Sequence, residues 1–137
     1  IDFHTSYKYL ILSKSQKHYK LLGKVVANGQ NLPFKEVLDS YFLLFCEAIS
    51  LKSSQGKTLN VLEHMAGFFK NELTKGEKKE IQKSFEEFKD GIIPLIVPIK
   101  LLELYINKHE ISYLQNQKFL NPYPSELGLR SDIKAYK

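Results

Sequence analysis

Apolar residues recur along this chain at the three-to-four-residue spacing of a helix face, and nowhere at the two-residue alternation of a half-buried strand. Phe3, Tyr7, Leu10 and Ile11 form the first stripe. Ser13 or Ser15 can cap the next helix, whose apolar side carries Tyr19, Leu22 and Val26. A loop through Gly29 and Asn31 leads to Pro33, a residue suited to a first helical turn. Beyond it, Phe34, Val37, Leu38, Tyr41, Phe45 and Ala48 predict a wide buried stripe and hence a central helix. A polar linker over 53–57 precedes a fourth helix marked by Val61, Leu62, Met65, Phe68, Phe69 and Leu73. Thr74 and Glu77 have the spacing of a capping box, in which hydroxyl and carboxylate each accept from a backbone N–H of the first turn. The helix they open carries Ile81, Phe85 and Phe88 and ends at Gly91, a residue suited to the left-handed cap position. Pro94 and Pro98 allow a start at either proline, or one helix that bends at Pro98. Tyr113, Leu114, Gln117 and Leu120 predict a further helix, the run 121–124 is extended, and Ser125 can cap a short turn before Leu129. The expected fold is all-α, a single compact bundle of about seven helices with no sheet.

Composition bounds the class. At 137 residues and 43% apolar, the chain reads as one domain, 1–137, with enough core to dispense with metal or disulfide staples. Its one cysteine, Cys46, excludes an internal disulfide, a four-cysteine zinc site and a cysteine-held iron–sulfur cluster built by this chain alone. Cys46 falls in the apolar stripe of the third helix, where inert packing is expected. The longest uncharged apolar run, Ile92 to Ile99, is far shorter than the roughly 20 residues of a membrane span, so a cytoplasmic protein without a membrane partner is expected. The chain opens on Ile1 with no initiator methionine, as expected either of a domain excised from a longer protein with the missing part upstream or of a trimmed stand-alone protein.

Charge is distributed unevenly. Residues 1–52 carry seven lysines and four acids, 53–91 seven and seven, and 92–137 six basic and four acidic residues. Lys8, Lys14, Lys17, Lys20 and Lys24 are opposed within the first 30 residues only by Asp2. A net charge of +5 suits a polyanion such as nucleic acid and equally serves solubility, so these lysines read either as phosphate contacts or as a solvated helix face. In the fifth helix, lysines alternate with Glu77, Glu80 and Glu86, the pattern of a face laced with salt bridges.

Candidate chemistry is sparse. No GxxxxGK loop, HExxH pair or nucleophile elbow occurs, and the histidines His4, His18, His64 and His109 are dispersed. No metal site and no cofactor are expected in this domain. Asn60, His64, Gly67 and Asn71 share one face of the fourth helix. A mid-helix glycine costs about 1 kcal/mol relative to alanine, so Gly67 predicts the close approach of a neighbouring helix or a ligand. Gly23 and Ala27 predict a close helix contact in the same way. His4 and Lys8, four residues apart, form either surface decoration or an anion site. Arg130, the single arginine, can grip a carboxylate or phosphate in two places, as an internal lock or as a ligand contact.

Several separated segments, in order, carry a family resemblance: the opening Phe3-His4-Thr5 with Lys8, Tyr19 to Gly23, Val26 to Asn28, Asn60 to Lys70 with His64 and Gly67, Asp90 to Pro98, Tyr113 to Pro124, and Leu129-Arg130. Together they resemble the YbgA-like family, a helical domain of unknown function, over essentially the whole chain. Phe69 and Phe119 depart from the tyrosines common there, so a role for those hydroxyls does not carry over. The resemblance implies a domain found alone or fused behind a desulfidase-like domain that holds an iron–sulfur cluster. Such fusions resemble enzymes that remove sulfur from thiolated uracil or from 4-thiouridine in tRNA, with the helical part holding the RNA.

The expected function is therefore that of a tRNA-binding accessory module, not catalytic by itself, with an upstream iron–sulfur desulfidase-like domain as partner. Lys14, Lys17, Lys20 and Lys24 are the expected phosphate contacts; His4, Lys8, Asn60, His64 and Arg130 are candidates for a polar site beside them. A protein-interaction or oligomerisation domain is the competing reading, and a small-molecule or enzymatic site around His64 a third. The sequence leaves the oligomeric state open.

Overall fold

Ser15 breaks what would otherwise be one long N-terminal helix. Its backbone is extended (φ −162°, ψ 118°), and its hydroxyl accepts from the His18 N–H at 3.1 Å, so the chain stops one helix and caps the next within a single residue. Of the two serines that could cap here, Ser15 is the one that does. The computed structural model describes residues 2–121, so 122–124, Ser125, Leu129 and Arg130 lie outside the described residues. Among the described residues the protein is all-α, with seven α-helices, two 3-10 turns and no strand. The described residues form two compact units, divided between His64 and Met65.

The first unit is built from α1 (Asp2–Lys14), α2 (Gln16–Asn28) and α3 (Phe34–Ser50), with most of α4 (Gln55–Phe68). A 3-10 turn at Gly29–Asn31 joins α2 to α3. Gly29 brings it close to α3: a Cβ there would come to 3.3 Å from Val37, a contact that the Val37 side chain would have to yield to by a few tenths of an ångström. His18 meets Glu47 at the other end of the pair, so α2 and α3 run antiparallel. The core consists of Ile11, Leu22, Tyr41 and Ala48, flanked by Tyr7, Tyr19, Val25, Val26, Leu44 and Phe45. Phe3, Tyr7, Tyr41 and Phe45 interlock with ring centroids 4.5–6.2 Å apart, mostly tilted or edge-on, and this pins α1 to α3.

The third helix is less buried than its stripe predicts. Phe34 is 77% exposed, Leu38 52% and Phe42 65%. The apolar face of α3 is wider than α1 and α2 can cover: these helices pack on the side of Tyr41, Leu44, Phe45 and Ala48, and Phe34, Leu38 and Phe42 turn past them. Cys46 is exposed for the same reason, which corrects the expectation of a packed thiol. The fourth helix begins earlier than its apolar pattern, because the Ser54 hydroxyl accepts from the Lys57 N–H at 3.1 Å and draws the linker into the first turn.

In the second unit, α4 ends at Phe68 and a 3-10 turn over Lys70–Glu72 leads to α5 (Lys75–Lys89), α6 (Ile96–Lys108) and the single turn α7 (Ser112–Gln115). The predicted last helix is thus only one turn long. The capping box forms as predicted: Thr74 Oγ1 accepts from the Glu77 N–H at 3.1 Å, and Glu77 Oε1 accepts from the Thr74 N–H at 2.8 Å. Gly91 has φ +74°, and the N–H groups of Gly91 and Ile92 donate to the carbonyls of Phe88 and Glu87 in a complete Schellman closure. α6 starts between the two prolines. Pro98 falls in its first turn, where an N–H would have no intrahelical partner, so the helix loses no hydrogen bond to it. Ile81 and Phe85 of α5, Ile99, Leu102 and Ile106 of α6, and Leu114 are buried in this unit.

Candidate nucleic-acid interface

The positions 17, 20 and 24 fall within about 60° of one another around α2, at 100° per residue. Leu22, on the opposite side, is fully buried and fixes which way this face points. Lys17, Lys20 and Lys24 are exposed, and among the described residues none of them forms an ion pair. His18 Nε2 lies 3.2 Å from Glu47 Oε2 and Nδ1 lies 2.9 Å from the Ser15 hydroxyl. His18 thus bridges the cap of α2 and the C-terminal part of α3.

Lys14 is not in line with the other three. It ends α1, is half-buried, and its carbonyl accepts from the Lys57 ammonium at 3.2 Å. That contact places a second cation at the negative end of the α1 dipole. Lys57 had no signal in the local sequence, because its partner lies 43 residues away.

His4 turns inward. Its Nδ1 lies 3.0 Å from the Tyr41 hydroxyl, and its ring packs edge-on against Tyr41. Burial and then the charge of Lys8 hold its pKa below the usual 6.5. Burial likewise pushes the Tyr41 phenol up to about 12. The pair is thus neutral near pH 7 and joins α1 to α3.

Asn60, His64 and Gly67 lie exposed on α4, and Asn71 falls beyond the helix end in the 3-10 turn. Neither the Asn60 nor the His64 side chain has a hydrogen-bond partner among the described residues. Nothing crowds Gly67: a Cβ there would meet no atom within 4 Å, and the same holds at Gly23. Among the described residues, then, neither Gly67 nor Gly23 packs closely against a neighbouring helix. Arg130 lies outside the described residues.

A cluster that the sequence reading missed joins α5 to α6. Glu77, assigned from its spacing to a solvated face, is buried at 7% exposure and holds three partners. Besides the Thr74 N–H, Lys108 Nζ donates to its Oε2 at 2.9 Å and His109 Nε2 lies 3.3 Å from its Oε1. The Thr74 N–H, Lys108 and His109 lower its pKa from 4.5 to about 2. Glu80 accepts from the Tyr105 hydroxyl at 2.7 Å, the main reason that phenol rises to about 12. The capping signal located Glu77; nothing local pointed to Lys108 and His109, more than 30 residues away.

No helix among the described residues is long and apolar enough to cross a membrane. No solved structure matches the chain. The chain is 25% identical over 134 residues to the uncharacterized protein YbgA of Escherichia coli (strain K12), across 95% of this chain and 78% of that protein. Residues 8–124 match the family model described as protein of unknown function (DUF1722). The resemblance carried by the separated motifs is thereby established, and the chain belongs to the DUF1722 family of YbgA-like proteins.

Proposed function

We propose that this chain is a tRNA-binding accessory module, the RNA-holding half of a 4-thiouridine or thiouracil desulfidase system whose chemistry resides in an upstream iron–sulfur domain. One observation carries the reading: Lys17, Lys20 and Lys24 stand exposed on one face of α2, with no carboxylate paired to them among the described residues. Unpaired ammonium groups in a row are what phosphate contact requires, since each can exchange its hydration for a phosphate oxygen and release a counterion. The link to desulfuration comes from the family resemblance and needs its own test. Titrating labelled tRNA at about 50 and 200 mM salt tests the binding. Affinity that falls steeply with salt is the expected result, and absent or salt-independent binding refutes it.

A second reading has its own observation. Phe34, Leu38 and Phe42 expose a continuous apolar stripe on α3, the kind of surface that docks a protein. A mass that rises with concentration, together with no RNA affinity, would favour an oligomerisation or interaction domain.

A further inference from the structure

The α2 lysine face borders a groove. Between α2 and α3, within the first unit, lies an open cleft of about 250 Å³. Leu21 and Val25 from α2 and Val37 and Leu44 from α3 are half-buried and form an aliphatic floor. Lys24, Asn28 and Ser40 also line the cleft, are exposed, and have no side-chain hydrogen-bond partner among the described residues. Lys24 belongs both to this rim and to the row with Lys20 and Lys17.

We infer that this groove seats one unpaired nucleobase of the bound RNA, while Lys24, Lys20 and Lys17 hold the phosphates that follow it along the strand. The inference deepens the RNA-binding reading and rests on it. Its first support is size. The cleft falls below the roughly 300–1,000 Å³ of pockets that take drug-sized ligands, so it suits a single flat ring. The second is the distribution of polarity: a base presents an apolar face to an aliphatic floor and hydrogen-bonding edges to an amide and a hydroxyl. Asn28 can donate and accept, and Ser40 can do both as well. The third is charge. Seven residues of helix separate Lys17 from Lys24, about 10 Å along the axis, so cations continue from the rim in one direction and fit an anionic chain leaving the groove. An apolar side chain from an acidic protein helix would use the floor and the lysines but leave Asn28 and Ser40 without a role. Recognition of RNA outside duplexes works through splayed bases of loops, bulges and ends, which is the substrate form this geometry fits.

The test uses the full chain and two RNAs of equal charge: a hairpin whose loop carries the fluorescent base 2-aminopurine, and a fully paired duplex. The hairpin is expected to bind about tenfold tighter than the duplex, the size of one or two well-made hydrogen bonds, with a change in 2-aminopurine emission. Ser40→Trp places an indole over the groove from an exposed position. It should abolish the hairpin preference and the emission change while leaving duplex affinity intact. The milder double variant Asn28→Ala/Ser40→Ala should reduce the preference in the same direction, so a folding defect in the tryptophan variant does not decide the matter. Equal affinity for hairpin and duplex, unaffected by either variant, overturns the groove inference and leaves the RNA-binding reading standing. Loss of salt-dependent binding to both RNAs overturns both. Binding of a glutamate-rich amphipathic peptide that Ser40→Trp blocks, with no hairpin preference, assigns the groove to a protein partner and also overturns the inference.

Discussion

Glu77 shows how much a single carboxylate can do when several elements converge on it. Its backbone position opens α5, its side chain closes the capping box, and its second oxygen reaches across to Lys108 on α6. Each of these bonds is made to the ionised form, which is why the pKa falls from 4.5 to about 2. The consequence for stability follows from proton linkage. Between pH 4.5 and 2 the unfolded chain binds a proton at this position that the folded chain does not, so stability drops as pH falls through that window. Above pH 4.5 the contribution is complete. Glu77→Gln removes the titration and should flatten this part of the acid-unfolding profile relative to the unmodified chain, as followed by urea denaturation at stepped pH. A variant profile as steep as the original would place the acid sensitivity elsewhere.

Among the elements, α5 and α6 end in the same way with different residues. α5 closes with Gly91 in the left-handed region. α6 closes with Glu110 there (φ +52°), and the N–H groups of Glu110 and Ile111 donate to the carbonyls of Asn107 and Ile106. For a residue with a Cβ, that conformation costs roughly 1–2 kcal/mol, part of which glycine gives back through unfolded-state entropy. Glu110→Gly should therefore stabilise the protein by about 0.5–1 kcal/mol and raise Tm by about 2 °C in a thermal melt. An unchanged or lower Tm would mean that the Glu110 side chain makes up for its backbone. The contrast also explains what the sequence could reveal. Gly91 was legible because its residue type announces its conformation, and Thr74 with Glu77 because spacing alone defines a capping box. The end of α6 was not, because glutamate carries no such signal. The wide α3 stripe was legible as helix but not as partly uncovered, since burial depends on how many helices arrive to cover it. Gly67 and Gly23 led to close helix contacts that are absent among the described residues, because a glycine records that space is permitted without recording that it is filled. Of the interface, the three-lysine face could be read from periodicity. The groove beside it could not, because it depends on how α2 and α3 pack against one another.

At the scale of the whole molecule, the question is whether a polyanion responds to the net charge or to the place where charge is left unpaired. The chain carries +5 overall, with a balance of seven lysines and seven acids over 53–91 and an excess over 1–52. General attraction would be weakened equally by any three lysine reversals, because each variant changes the net charge by the same amount. A local site would not. Lys17→Glu, Lys20→Glu and Lys24→Glu combined should lower tRNA affinity sharply and reduce the slope of log affinity against log salt by about 2–3, close to one counterion per lost phosphate contact. Lys75→Glu, Lys79→Glu and Lys83→Glu, on exposed positions of α5, form the matched control. There the slope should stay nearly constant, with only the modest fall in affinity that a lower net charge imposes. Equal losses in the two variants would show that tRNA responds to the field of the whole chain and that the α2 face is no more than its most visible part. A loss confined to the first variant assigns the contact to α2, because two proteins of identical net charge would then differ only in which helix carries the reversal.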